Sequence, residues 1–164
     1  MKRSVFALIA TLGLAMPAAA AGDGFSAYAG AWKGSGTVRP GGAEKVETAR
    51  CRMNAKVSAD GRSMTQSGQC AVPGAKIDVG GAMTFNPGTR RVSGSWRDAH
   101  NGLSGSLSGA LDANGGMRLT YIVAKPQPGE PESFSIQFAP SAAGWRLVTS
   151  APGRGVVADI KFSR

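Results

Sequence analysis

Histidine is the scarcest chemical resource in this chain: His100 is the only one, beside two cysteines, Cys51 and Cys70. One imidazole and two thiols do not fill a four-ligand zinc set, and without a Cys-x-x-Cys pair the usual redox signature is missing too. No Gly-x-Ser-x-Gly elbow presents a nucleophile. His100 sits in DAHNG, two residues after Asp98, where a turn histidine is exposed filler unless the fold brings a nucleophile to it. The expectation is therefore no catalytic residue, no metal site and no cofactor. Acidic residues number 10 against 19 Lys and Arg, and aromatics are 7% of the chain. The apolar run over 5–16 is too short to span a bilayer, and no later stretch reads as transmembrane. Repeats with a period of about 20–50 residues are also absent.

The chain opens MKRSVFALIATLGLAMPAAAAGDG. Lys2 and Arg3, the short apolar run and the small residues before Ala20 and Ala21 have the form of a signal peptide over 1–21. The expected mature protein is one domain, 22–164, soluble and periplasmic or secreted, with no cysteine at the cleavage point to take a lipid. Losing Lys2 and Arg3 lowers the formal charge from +9 to +7. That excess attracts phospholipid headgroups, lipopolysaccharide, nucleic acid or acidic proteins, or it simply keeps the protein soluble.

Asp60-Gly61 has the chemistry of a two-residue type I′ hairpin turn. Around it Cys51 lies nine residues before Asp60 and Cys70 nine after Gly61, so the cysteines face each other. In that register Cys51, Met53, Ala55 and Val57 share a face with Met64, Gln66, Gly68 and Cys70, while the other face is polar throughout. Facing residues of antiparallel strands stand roughly 4.5–5.5 Å apart, within reach of a disulfide. An exported pair so placed should oxidise. Gly41-Gly42, read as a second turn, puts Trp32 opposite Cys51, with Gly34, Gly36 and Val38 inward against Lys45, Glu47 and Ala49.

The same alternation runs on through Ile77, Val79, Gly81, Met83 and Phe85, a Pro87-Gly88 turn, then Val92, Gly94 and Trp96. Asn101-Gly102 turns into Leu103, Gly105, Leu107, Gly109 and Leu111, and a turn over 112–116 leads to Met117, Leu119, Tyr121 and Val123. Phe134, Ile136 and Phe138 follow, then Trp145 and Leu147, and finally Val156, Ala158, Ile160 and Phe162. Glycine, at 24 residues, is interleaved with apolar positions rather than massed in tracts, as coiled strands in close approach require. The expected fold is all-β, an antiparallel up-and-down barrel of about 8–10 strands, with a short helical turn in FSAYAGAW (25–32) plugging one end. A β-sandwich is the alternative, but its crossovers need long connections, and only AKPQPGEPES (124–133) is long.

GAWKGSGTV, at 30–38, resembles the Gly-x-Trp opening of lipocalins and other calycins. Together with CRM, SGQC and VSGSWRD it is similar to small secreted barrel-like proteins of alphaproteobacteria. The resemblance implies a cup that holds a small apolar ligand, and a basic residue of the last strand, Lys161 or Arg164, packed over Trp32. The lipocalin Thr-Asp-Tyr-like motif is missing, and the strand count fits the fatty-acid-binding or nitrobindin-like arm better. Haem ligation of the nitrobindin kind needs an inward strand histidine, and His100 is not so placed.

The registers point Glu47, Gln66 and Tyr121 inward, where they satisfy one another, sit at the rim, or orient a ligand. With Trp32, Trp96, Phe134 and Phe138 they are the candidate ligand-binding residues. Arg50, Arg52, Lys56, Arg62, Arg90, Arg91 and Arg97 form a basic wall without the aromatic interleaving of base-stacking surfaces, which excludes specific nucleic-acid binding. The leading expectation is a non-enzymatic periplasmic barrel binding a small apolar or amphipathic ligand or lipid. The alternative is a protein-binding or envelope-associated module, such as a periplasmic protease inhibitor, using the basic wall and the loop over 125–132; a hydrolase ranks third.

Overall fold

The structure, a computed structural model, describes residues 24–39, 45–99 and 102–164. The signal-peptide segment, the Gly41-Gly42 turn, His100 and Asn101 lie outside them. Ten strands follow one 3-10 turn, η1 (Ser26–Tyr28): β1 (Gly30–Val38), β2 (Glu47–Val57), β3 (Ser63–Val72), β4 (Ala75–Asn86), β5 (Arg91–Asp98), β6 (Leu103–Leu111), β7 (Met117–Val123), β8 (Ser133–Ser141), β9 (Gly144–Ala151) and β10 (Gly155–Ser163). Each strand pairs antiparallel with its sequence neighbours, and β1 pairs with β10 to close the ring. The fold is the up-and-down barrel that the alternation called for, and its closure leaves no strand edge to aggregate. Both its topology and its strand count are consistent with a calycin-like fold.

Alternation along each strand follows from the two-residue side-chain period. In β2, Ala49, Cys51, Met53 and Ala55 are buried while Thr48, Arg50, Arg52, Asn54 and Lys56 are exposed; β7 alternates without exception from Met117 to Val123. Cys51 faces Cys70 in the β2–β3 ladder, and the two are disulfide-bonded. The turn between them differs from the expected one. Asp60 does not adopt the positive φ that type I′ demands. Instead Gly61 N–H bonds to the Ser58 carbonyl, and Ser58 N–H bonds to the Ser63 carbonyl. The Asp60 carboxylate accepts from the Ser58 hydroxyl and the Arg62 N–H. The longer loop is centred where the short one would have been, so the cysteine register survives.

Two expectations need correction. Trp32 pairs with Met53, and it is Gly34 that stands opposite Cys51. A slip of two residues keeps every side chain on its face, so hydrophobic patterning is blind to it. In β10 a bulge between Val156 and Ala158 breaks the alternation and leaves Val156 exposed, while Val157 reaches the interior. An extra residue on one strand reverses the facing of what precedes it.

Candidate functional site

The barrel has a sealed end and an open end. At the sealed end Gly24, with φ +104°, lies so close to Gly61 that a Cβ would fall 2.3 Å from the Gly61 carbonyl oxygen, and Phe25 N–H bonds to that carbonyl at 2.9 Å. This anchors η1 beneath the barrel. Phe25 and Tyr28 are fully buried; Phe25 meets Phe85 edge-on, and Tyr28 meets Phe138 and Trp145 in the same way. The Tyr28 hydroxyl donates to the Gly115 carbonyl at 2.7 Å. Burial, and secondarily the Asp112 carboxylate, raises the Tyr28 pKa well above the usual phenol value. Trp32 Nε1 donates to the Tyr28 carbonyl at 2.8 Å. Arg164 stacks its guanidinium 4.9 Å from the Trp32 ring centroid and reaches the Ala29 carbonyl. Of the two basic residues that the calycin resemblance offered, Arg164 is the one over the tryptophan.

Above this floor a cavity of about 470 Å³ opens toward the other end. That volume falls in the usual ligand-pocket range of about 300–1,000 Å³. Met53, Leu107, Ile136, Leu147 and Ile160 give it aliphatic walls, joined by the rings of Trp96, Phe134, Phe138, Trp145 and Phe162. Its charged lining residues, Arg39, Asp98, Glu130 and Arg154, are carried by loops or strand ends at the mouth. There the β7–β8 connection is strapped to the β9–β10 turn: Arg154 pairs with Glu130 at 2.9 Å and donates to the Gly129 carbonyl at 2.7 Å. The long loop is therefore part of the rim.

Of the seven candidate ligand-binding residues, Gln66, Trp96, Phe134 and Phe138 border the cavity. Trp32 belongs to the floor beneath it. Tyr121 packs beside Phe134, ring centroids 6.0 Å apart, with its hydroxyl buried and unbonded; burial first and Asp98 second raise its pKa. Glu47 is half-buried at the start of β2, opposite Val38. The three inward polar residues therefore do not form one network. Gln66 is only 3% exposed, and neither its amide nitrogen nor its amide oxygen has a hydrogen-bond partner. The indole Nε1 of Trp145, on the opposite side of the barrel, is likewise buried and unpaired.

Sequence reasoning placed Trp145 on an inward strand position but left it out of the site; its parity with Leu147 was the available signal. Arg39 and Arg154 were missed because loop geometry decides them, whereas Asp98 ends β5 two residues after Trp96, where parity was again the available signal. One member of the basic wall is structural. Arg90, at φ 54°, donates Nε to the Leu111 carbonyl at 2.9 Å and lies over Phe85. Arg90 is half-buried, whereas Arg50, Arg52, Lys56, Arg62, Arg91 and Arg97 are exposed. Among the described residues no group of three or more His, Cys, Asp or Glu side chains converges on a metal position, and no helix is long and apolar enough to cross a membrane. Neither protein-family models nor curated protein sequences give a match to this chain.

Proposed function

We propose that the protein is a non-enzymatic binding protein of calycin type, exported to the periplasm or secreted, that holds a small apolar or amphipathic ligand in its cup. The observation that carries this reading is the cavity itself: about 470 Å³, walled by aliphatic and aromatic side chains, closed below by η1 and open at a polar rim. Burying apolar ligand surface there yields about 25 cal/mol per Å² before the cost of association. Export is supported by the signal-peptide form of 1–21 and by the Cys51–Cys70 disulfide.

Trp96 and Trp145 border the cavity and Trp32 lies beneath it, so all three tryptophans of the chain report on occupancy. Tryptophan quenching and native mass spectrometry with fatty acids, lipids and haem test the proposal. Saturable quenching at one ligand per chain is the expected result; a spectrum indifferent to every apolar probe sinks it.

A second reading, docking of the outer wall to an anionic envelope component or an acidic protein, draws on one feature of the register. Lys33 stands directly across from Arg52, and the neighbouring Ser35 lies between Arg50 and Lys161. Like charges facing each other on a sheet destabilise it, and an anionic partner relieves them. A stoichiometric partner recovered at low salt and lost at high salt supports this reading.

A further inference from the structure

We infer that the bottom of the cup recognises a neutral head group that both donates and accepts hydrogen bonds, a carboxamide or a hydroxyl, and that the ligand enters head first with its apolar body behind it. This rests on the cup reading above and specifies its ligand.

The argument begins with what is unpaired. A buried amide without a partner is rare in folded proteins and calls for a physical account. Gln66 is on the sealed-end half of β3, three residues from its start, between Ala55 of β2 and Gly81 of β4. It is flanked by side chains that offer no hydrogen bond: Met64 lies on its own face, and Gly68 follows. Its carboxamide carries two N–H donors and a carbonyl acceptor, all unused. Trp145, second residue of β9, is also at the sealed end, and its Nε1 adds a donor without an acceptor. Both residues border the cavity. The terminal torsion of a glutamine is soft, so the Gln66 amide can turn toward a group that arrives from the cavity.

Charge then narrows the class. Among the described residues every charged side chain that lines the cavity is at the mouth: Arg39 after β1, Asp98 at the end of β5, Glu130 and Arg154 on loops. A carboxylate or an ammonium carried to the floor would shed its water and meet no counter-ion, a large cost. A neutral group with a carbonyl or hydroxyl oxygen takes an N–H of the Gln66 amide, and its own N–H or O–H satisfies the Gln66 carbonyl. A pure acceptor such as an ester leaves that carbonyl unpaired. The orphaned Gln66 carboxamide therefore selects for a donor and acceptor combined in one uncharged group.

The test is a set of ligands sharing one alkyl chain: octanamide, octanol, octanoate and octylammonium, with butylbenzene as a probe that has no polar head. Affinities are measured by calorimetry at neutral pH on wild type, Gln66→Leu and Trp145→Phe, with circular dichroism to confirm folding. Octanamide and octanol are expected to bind on the order of 10- to 100-fold more tightly than octanoate and octylammonium. Gln66→Leu should erase that difference and leave butylbenzene bound as well or better. Trp145→Phe, which removes the N–H together with the pyrrole part of the indole, should reduce it. A preference for octanoate, or a ranking that survives both substitutions, overturns the inference while butylbenzene binding keeps the cup. Failure of all five probes overturns the cup as well.

Discussion

Gln66→Leu perturbs the protein in the absence of any ligand, and the expected direction is unusual for a core substitution. Replacing a buried side chain ordinarily destabilises a fold, typically by about 0.5–3 kcal/mol. Here the wild-type residue is 97% removed from solvent, on its 3% exposure, with neither amide atom bonded. An unsatisfied buried amide costs about 1–3 kcal/mol. Leucine has similar volume, adds no polar atom and joins Met64 and Met83, both nearly inaccessible. The variant should therefore be more stable by about 1–3 kcal/mol, the released desolvation cost. For a domain of this size each kcal/mol moves Tm by about 2–4 °C, so the melt should rise by roughly 3–10 °C. Chemical denaturation followed by tryptophan fluorescence should show a higher midpoint at an unchanged slope, since the surface exposed on unfolding is the same. A fall in stability of 1 kcal/mol or more refutes the reasoning, because it means that the amide has a partner whose loss outweighs the gain. A stabilised variant that has lost head-group discrimination is the signature of a site where stability was traded for recognition.

Four further outcomes follow from the packing. Removing the disulfide with Cys51→Ala and Cys70→Ala, a link across 19 residues, should cost about 3 kcal/mol by loop entropy, and melts of the wild type with and without reductant should differ correspondingly; coincident melts refute it. The chain has two tyrosines, and burial raises both phenols, Tyr28 further by Asp112 and Tyr121 by Asp98. Their contribution to stability is complete below the unfolded phenol value near 10 and is lost as pH climbs from there through the raised folded values, at about 1.4 kcal/mol per pH unit for each phenol. Phenolate absorbance should accordingly stay flat past pH ~10 and appear together with unfolding, and ordinary half-ionisation while folded refutes it. Arg154→Ala breaks the half-exposed pair with Glu130, so stability should shift by less than about 1 kcal/mol while ligand on- and off-rates rise together in stopped-flow; unchanged rates exclude the strap as a gate. Gly81→Ala would place a Cβ 2.5 Å from the Ser95 carbonyl oxygen and 2.6 Å from the Trp96 ring, costing about 1–3 kcal/mol and shifting Trp96 emission.

How far the sequence reaches into this structure depends on which interaction decides each feature. The Cys51–Cys70 pairing was legible because two independent constraints, turn position and face alternation, agreed, and the true loop happens to be centred where the two-residue turn would have been. The β1–β2 register was not: a two-residue slip leaves Trp32, Gly34 and Gly36 inward either way, so parity could not choose between Cys51 and Met53 as the partner of Trp32. The β10 bulge was likewise silent, since Val156 and Val157 are equally apolar and only barrel closure chooses between them. In the candidate site, Gln66 was recognisable as an inward polar residue from parity alone. That it would find no partner was not, because satisfaction depends on neighbours from β2 and β4. The Arg154–Glu130 strap joins loops 24 residues apart, where no periodicity operates.

Whether ten strands rich in glycine enclose a hollow or coil shut is settled by what lies over the inward glycines. A Cβ on Gly34 would fall 2.5 Å from the Phe162 ring, one on Gly81 2.6 Å from Trp96, and one on Gly105 2.6 Å from Tyr121. Each missing side chain is thus replaced by a ring from a neighbouring strand that lies against the wall. Phe162 is in turn stacked on Trp145, their centroids 3.9 Å apart. Rings laid along the wall stabilise the barrel through contact area without crossing the lumen, and the volume that would otherwise be filled by side chains meeting at the axis remains in the middle. Larger residues at the glycine positions would lift the rings inward and fill that space. The glycines therefore act twice, permitting close strand coiling and keeping the cup open, and the second role leaves the space in which the proposed ligand would meet the orphaned amide of Gln66.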